Sequence, residues 1–326
     1  MKKILVQLDS DEYPSLFDRI VAYDAGADEV LSYGRVTTEN IRGLIQDAFF
    51  TRGVSDLKNT AVWIGGSDVA QGERLLAEAQ QAFFGPFKVS LMLDSNGCNT
   101  TATAAVVKLA EQVGLSGRQA VIIGTGPVGI RTAILLASQG SHVILTPIPA
   151  KLLGDRYNPD LAQESLAAAR HMAHVFAGGR ESLSDEGMRH ASAAIAAARV
   201  GDLQVVEIAD LDALTHYLEG AEIVITAGPA GLQILPHTLW AAHPSLQFLL
   251  DFNLTEPPGI EGINSSDDFK QREGKRVLGP LAIGTPKMNV HKACIAQLFE
   301  RNDLVLDAIS VYQVAKQLVK NRESKD

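Results

Sequence analysis

"RQAVIIGTGPVGIRTAILLASQGSHVIL", residues 118–145, decides the fold. An apolar run over 119–123 meets Gly124, Thr125, Gly126, Pro127, Val128 and Gly129, an apolar helical run follows, and a second apolar run closes the stretch. This is G-x-G-x-x-G in the strand–turn–helix–strand context that gives the motif its meaning. Gly124 permits the tight turn, Gly126 lets the backbone approach a pyrophosphate, and Gly129 lets the helix pack on the strand. The helix start offers unpaired N–H groups and a positive dipole end to the phosphates. The stretch predicts a dinucleotide site. The competing reading is a structural turn in a Rossmann-like sheet that holds no ligand.

Downstream, the second strand ends in Thr146, Pro147, Ile148 and Pro149, with no carboxylate for the ribose hydroxyls of NAD. Lys151 and Arg156 follow closely and are placed to meet a 2′-phosphate. A partly exposed contact of that kind favours NADP over NAD by roughly tenfold. Residues of about 150–200 read as a helical insertion, alanine-rich over 160–200, with a break at Gly178 and Gly179. His171 and His174 could share a helical face, but no third ligand is suggested and no metal is expected. Strands are expected at 203–209, 221–228 and 247–253. In "TAGPAGL" (226–232), Ala227 and Gly228 end a strand in small residues, as a loop under a cofactor requires, and Asp251 and Asn253 end the last strand. Residues 291–319 read as helix and are expected to pack back on the amino-terminal domain.

Upstream, strands at 4–9, 61–66 and 88–94 alternate with helices at 72–84 and 100–114. Such alternation predicts a parallel or mostly parallel sheet. The fold class is α/β, with a Rossmann-type domain over 103–289 and a smaller α/β domain built from 1–102 and completed by the C-terminal helices in 290–326. One stretch of the smaller domain stands out. "LMLDSNGCNTT" (91–101) stops an apolar run in Asp94, Ser95, Asn96, Gly97, Cys98, Asn99, Thr100 and Thr101. It is a binding surface, a helix start capped by Asn99 or Thr100, or both.

Composition narrows the class. The chain has 326 residues, a net charge of -9 and 46% hydrophobic residues, which suits about two soluble domains. The acidic balance without a basic cluster argues against nucleic acid as a partner. No run reaches the roughly 18 apolar residues that a membrane span needs. The start, MKKILVQLDSD, has an apolar run too short for a secretory signal, so a cytoplasmic protein is expected. Cys98 and Cys294 lie far apart and read as free thiols in a reducing compartment.

Several stretches together resemble the bacterial NAD(P)-dependent methylene-tetrahydromethanopterin dehydrogenase family, whose members also act on methylene-tetrahydrofolate. They are "QLDSDEYPSLFD" (7–18), "YDAGAD" (23–28), "IGGSDVAQGE" (64–73), "FFGPFKVSLMLDSNGCNTTA" (83–102), "GTGPVG" (124–129), "TAGPAGL" (226–232) and "HKACIAQLFE" (291–300). The resemblance implies a soluble homo-oligomer in which a tetrahydropterin C1 carrier lies in a cleft facing the nicotinamide. The implied reaction moves a hydride from the methylene carbon to NAD(P)+ and leaves the methenyl cation. It makes 94–101 a pterin surface, with Asp94, Ser95, Asn96, Asn99, Thr100, Thr101, Asp251 and Asn253 matching ring donors and acceptors. Lys287, in "IGTPKMNVHK" (283–292), falls on a family lysine near the pterin, so Lys287 and Asp94 are the catalytic candidates. A second family lysine is Asn289 here, and the family's basic pair after the second Rossmann strand is missing. A pterin reductase and a non-catalytic pterin-binding protein remain the alternatives.

Overall fold

The computed structural model describes residues 1–177 and 201–323. The expected break at Gly178–Gly179 and the remainder of the insertion lie outside the described residues. Within them the chain forms two compact units, one from Met1–Val107 with 287–323, the other from 108–177 with 201–286. The strands, in chain order, are β1 (Ile4–Asp9), β2 (Glu29–Tyr33), β3 (Thr60–Gly65), β4 (Ser90–Leu93), β5 (Gln119–Ile123), β6 (His142–Thr146), β7 (Asp202–Val205), β8 (Ile223–Thr226), β9 (Phe248–Asp251), β10 (Asp268–Arg272), β11 (Lys275–Leu278) and β12 (Val305–Leu306).

The first unit is a parallel sheet in the order β12-β4-β3-β1-β2. Its strands obey the two-residue alternation. Val6 and Leu8, Val62 and Ile64, Leu91 and Leu93 share one buried cluster with Ile41, Ile45 and Phe49 of the helix Ile41–Phe50 and Leu75, Leu76 and Ala79 of the helix Val69–Gln81. On β3 the residue between, Trp63, stacks on His291 of the helix Leu281–Leu298. Helices on both faces are what a parallel sheet needs, because neither face can be left wet. Local signals start these helices. Ser15 accepts from the Asp18 backbone N–H before the helix Leu16–Asp24, and Asp68 accepts from Gln71 before Val69–Gln81.

The second unit is a seven-stranded sheet in the order β10-β11-β9-β8-β5-β6-β7, parallel except for the β10–β11 pair. Both sheets reverse their direction of growth once. In the first, β2 adds on one side of β1 and β3 on the other; in the second, β6 adds on one side of β5 and β8 on the other. At such a switch point the loops after neighbouring strands diverge and leave a crevice at the carboxyl ends. The glycine loop follows β5 and meets the end of β8, because the Ala227 carbonyl closes over Gly124.

One expectation is corrected, and several elements lie where no pattern in the sequence predicts them. Residues 291–319 are not one helix. The first helix ends at Leu298, β12 adds to β4, and a second helix spans Ala308–Glu323. A two-residue strand is too short to print a period in the sequence. The antiparallel pair β10–β11 was also unforeseen, because its residues are largely polar and only Gly274, at φ +76, marks the turn. So were β2 and the helices Leu16–Asp24 and Ile41–Phe50, where exposed Leu16, Phe17, Ile20, Leu31, Tyr33 and Phe50 blur the apolar pattern.

Gly124 carries φ +126, and a Cβ there would overlap the Ala227 carbonyl. Gly124→Ala should therefore cost at least about 2 kcal/mol of unfolding free energy in urea titration, from strain and overlap together. A melt like that of the unsubstituted protein would contradict this account of the turn.

Candidate functional site

A cavity of about 300 Å³ opens at the switch point of the first sheet, at the carboxyl ends of β1, β3 and β4. Its lining includes Asp9 at the end of β1 and Asp11 after it, Ser67 after β3, Asp94 and Asn96 after β4, Tyr13, Phe17 and Asp18 around the helix Leu16–Asp24, and Lys287 and His291 from the helix Leu281–Leu298. Four carboxyls thus share one cavity with one ammonium.

Most of these carboxyls already hold backbone. Asp9 accepts from the N–H groups of Asp11 and Ser15, and Asp11 from the backbone and hydroxyl of Ser67. Asp94 is fully interior, and its Oδ1 accepts from the N–H groups of Asn99 and Thr100 at 2.9 and 3.0 Å while Oδ2 accepts from the Thr100 hydroxyl at 2.6 Å. The cap of the helix Cys98–Ala110 is therefore Asp94, not Asn99 or Thr100. Burial pushes the Asp94 carboxyl up to about 6, against the pull of Lys287 and the three hydrogen bonds. Asp18 rises further, to about 7, through burial and then the neighbouring Asp94, with the Ser15 hydroxyl and Lys287 opposing.

The predicted stretch divides. Asp94 and Asn96 line the cavity. Asn96 sits at φ 53 in the turn between strand and helix. The side chains of Ser95, Asn99, Thr100 and Thr101 turn onto the chain itself: Ser95 donates to the Gly65 carbonyl, Asn99 to Leu93, Thr100 to Asp94, and Thr101 to Gly97. Lys287 stands beside Gly97, where a Cβ would meet its ammonium at 2.5 Å. Asp251 and Asn253 belong to the second unit and build its loop. Asp251 accepts from Thr226, Asn253, Gly259 and Ile260, and Asn253 binds Gly231, Thr255 and Pro257.

Two residues of the cavity wall, Asp18 and His291, carried no warning in the sequence reading although both lie inside quoted motifs. His291 is completely buried, its ring lies 4.4 Å from that of Trp63 at 10°, and neither ring nitrogen has a partner. An unpaired buried polar atom costs about 1–3 kcal/mol, so such a group asks for a partner. Burial and Lys287 hold the imidazole down at about 3, which keeps it neutral.

The glycine loop of the second unit fits a dinucleotide. Gly126 has nothing within 4 Å of a would-be Cβ, so the space above it is open, while a Cβ at Gly129 would strike the Gly124 carbonyl. Pro127 opens the helix Pro127–Ser138, where its missing N–H costs nothing, and the Val128 carbonyl accepts from Thr132. Thr125 is tied to Ser165. Gly228 packs under Ile148 and Ile234. The two candidate cations differ. Arg156 donates to the carbonyls of Ala230 and Gly231, whereas Lys151 is exposed, 3.8 Å from Asp210. His171 and His174 lie on the helix Pro159–Phe176, and no group of three metal-ligating side chains exists among the described residues.

The family model for "Methylene-tetrahydromethanopterin dehydrogenase, N-terminal" matches residues 16–96, which supply much of the cavity wall. Over 97% of the chain, the sequence is 40% identical to 99% of the "Bifunctional protein MdtA" of Methylorubrum extorquens. The chain belongs to the methylene-tetrahydromethanopterin dehydrogenase family. A second relative from that organism, "NAD(P)-dependent methylenetetrahydromethanopterin dehydrogenase", is 26% identical over 97% of this chain and 99% of its own. Among solved structures, ornithine carbamoyltransferase from Pyrococcus furiosus aligns with a TM-score of 0.53 at 12% identity, over 90% of this chain and 84% of that one, and shows the α/β fold alone. No helix among the described residues is long and apolar enough to cross a membrane.

For this dehydrogenase-family chain the raised carboxyls set a sign. Asp18, folded at about 7 against 3.8, holds a proton between roughly pH 4 and 7 that the unfolded chain has lost. It therefore adds stability as pH falls through that window, by up to about 1.4 kcal/mol per pH unit. His291 runs the other way, because only the unfolded imidazole takes up a proton there. The difference between proteins isolates the carboxyl. From pH 7.5 to 5.5, the unsubstituted protein should gain stability relative to Asp18→Asn in urea unfolding. A difference that stays constant with pH would contradict the raised Asp18.

Proposed function

We propose that the protein oxidises the methylene group of a methylene-tetrahydromethanopterin-type C1 carrier to the methenyl form, with NAD(P)+ as hydride acceptor. The observation that carries this reading is the acidic cavity with its single ammonium in the first unit, alongside the open space over Gly126 in the second. When bound, the dinucleotide supplies the redox chemistry. The chain's own residues bind, orient and polarise. The methenyl product is a cation, and carboxyls already fixed around the cavity favour charge as it develops, without reorganising. Hydride transfer needs no protein nucleophile, so a constellation for one is not required. Asp94 is held by three hydrogen bonds at the helix start, whose Asn96 and Gly97 also line the cavity. Lys287, beside Gly97, supplies the ammonium near Asp94 and is positioned to direct a carbonyl of the ring.

NADP is favoured over NAD in this reading. Of the two candidate cations Arg156 already donates to the Ala230 carbonyl, so this reading gives the 2′-phosphate to the exposed Lys151. The reading also keeps a homo-oligomer. Leu16, Ile20 and Tyr23 form an exposed apolar face on one helix, and Leu31 and Tyr33 are exposed on the edge strand β2. The buried cysteines Cys98 and Cys294 fit a reducing, cytoplasmic setting.

The test is the appearance of reduced nicotinamide absorbance with methylene-tetrahydromethanopterin and each coenzyme. Turnover is expected with both coenzymes, with NADP bound roughly tenfold tighter and the preference reduced in Lys151→Ala. Gly126→Val should abolish coenzyme binding in calorimetry while the melting temperature stays put, since its side chain enters empty space. No turnover with either coenzyme would overturn the assignment, and unchanged coenzyme affinity in Gly126→Val would remove the phosphate site from this loop.

A further inference from the structure

We propose that Asp18, oriented by His291, is the residue that reads the amino and ring N–H edge of the pterin. This rests on the dehydrogenase reading above and assigns that edge to one side chain.

The argument begins by elimination. Of the four carboxyls in the cavity wall, Asp9, Asp11 and Asp94 each accept at least one backbone N–H. Among the described residues, no backbone N–H is directed at the carboxyl of Asp18; its own N–H goes to the Ser15 hydroxyl. Asp18, whose carboxyl meets the Ser15 hydroxyl but no backbone N–H, is thus the cavity carboxyl least committed to the fold and the one with the most acceptor capacity left for a ligand. A pterin presents its exocyclic amine and the adjacent ring N–H side by side, two parallel donors that a carboxylate can meet with two acceptors. Lys287, a donor only, suits the ring carbonyl instead.

The second observation is independent. His291 is buried, unpartnered at both nitrogens, and forms part of the same wall. Its Nε2 lies 4.0 Å from Asp18 Oδ1, just beyond a hydrogen bond. Stacking on Trp63 and contact with Phe17 at 6.1 Å fix the ring plane. A small shift of the carboxyl on ligand binding brings it onto the imidazole N–H. One carboxyl oxygen is then held by His291 while both still face the ligand. His291 is a positioning residue that acts through Asp18. The rings of Tyr13 and Phe17 supply aromatic wall for a flat heterocycle in the same cavity.

The cavity also sets the expected pH behaviour. The ionisable groups facing Asp18 are Asp9, Asp11 and Asp94 from the strand ends, Tyr13, and Lys287 and His291 from the helix behind it. The ionised carboxylate is the form that accepts both N–H groups, so pterin binding should strengthen as pH rises through about 7.

The test compares the full-length enzyme with Asp18→Asn, His291→Phe and His291→Gln in steady-state kinetics with methylene-tetrahydromethanopterin and the coenzyme. Asp18→Asn should raise the pterin KM about tenfold or more, leave the coenzyme KM within about twofold, and flatten the rise of kcat/KM between pH 6 and 8. His291→Phe keeps the stack on Trp63 and loses the nitrogens. It should raise the same KM several-fold, and His291→Gln, which retains a donor, should recover part of it. A merely structural role would change stability and leave the KM and the pH profile where they were. Should Asp18→Asn fail to fold, the pterin dissociation constant of the unsubstituted enzyme across pH 6–8 decides, and a flat profile overturns the proposal. Turnover by the unsubstituted enzyme with an unchanged pterin KM in Asp18→Asn overturns this assignment alone. Failure of the unsubstituted enzyme to turn over or bind the pterin overturns the dehydrogenase reading and this assignment with it.

Discussion

Parallel strands deliver all their carboxyl ends to one side of a sheet, and a sheet that grows in both directions from its first strand must part its loops there. Both units of this chain obey that constraint, at the β1–β3 and β5–β8 junctions. What occupies each crevice follows from the residues at the strand ends. After β5 and β8 these are glycine and alanine, which let a ligand's phosphates approach backbone. After β1, β3 and β4 they are Asp9, Asp11, Ser67 and Asp94, which give a polar, charged recess. One topological rule, applied twice with different residues, yields a glycine-lined crevice in one unit and a charged recess in the other.

The first crevice keeps its charge because the charge is structural. Asp94 is interior and would be expensive if unpaired. It is retained by capping the helix Cys98–Ala110 with three hydrogen bonds and by the nearby ammonium of Lys287. Burial, and then the Asp94 charge, push the neighbouring Asp18 carboxyl up. Asp18 lies close enough to Asp94 to feel its charge, and both are shielded from water. His291 completes the wall as a neutral imidazole with its polar atoms unspent. The cavity thus combines groups that the fold uses with groups it leaves open.

Much of this was legible in the sequence. The glycine motif lay between two strands that both exist, β5 and β6, and the stretch around Asp94 does end a strand at a crevice. The roles within that stretch were not legible. Ser95, Asn99, Thr100 and Thr101 are the polar types that bind ligands and also the types that satisfy a helix start, and only coordinates tell which way a hydroxyl turns. Asp251 and Asn253 illustrate the same ambiguity, since their acceptors are consumed by the loop that follows β9. Asp18 and His291 were missed for the opposite reason. Each sits alone in a helical pattern, 273 positions apart in the chain (291 less 18), with no spacing that could announce their meeting at 4.0 Å. The strand β12 escaped because two residues carry no period, although it completes the edge of the sheet beside β4.

The central claim is that the first unit's cavity is the pterin site. A crystal structure of the protein with tetrahydromethanopterin bound tests it most directly. The account predicts the pterin ring seated at the carboxyl ends of β1 and β3, against Asp18, Asp94 and Lys287, with its side chain leading out to solvent. A pterin bound elsewhere on the protein, with this cavity left to water, would contradict it.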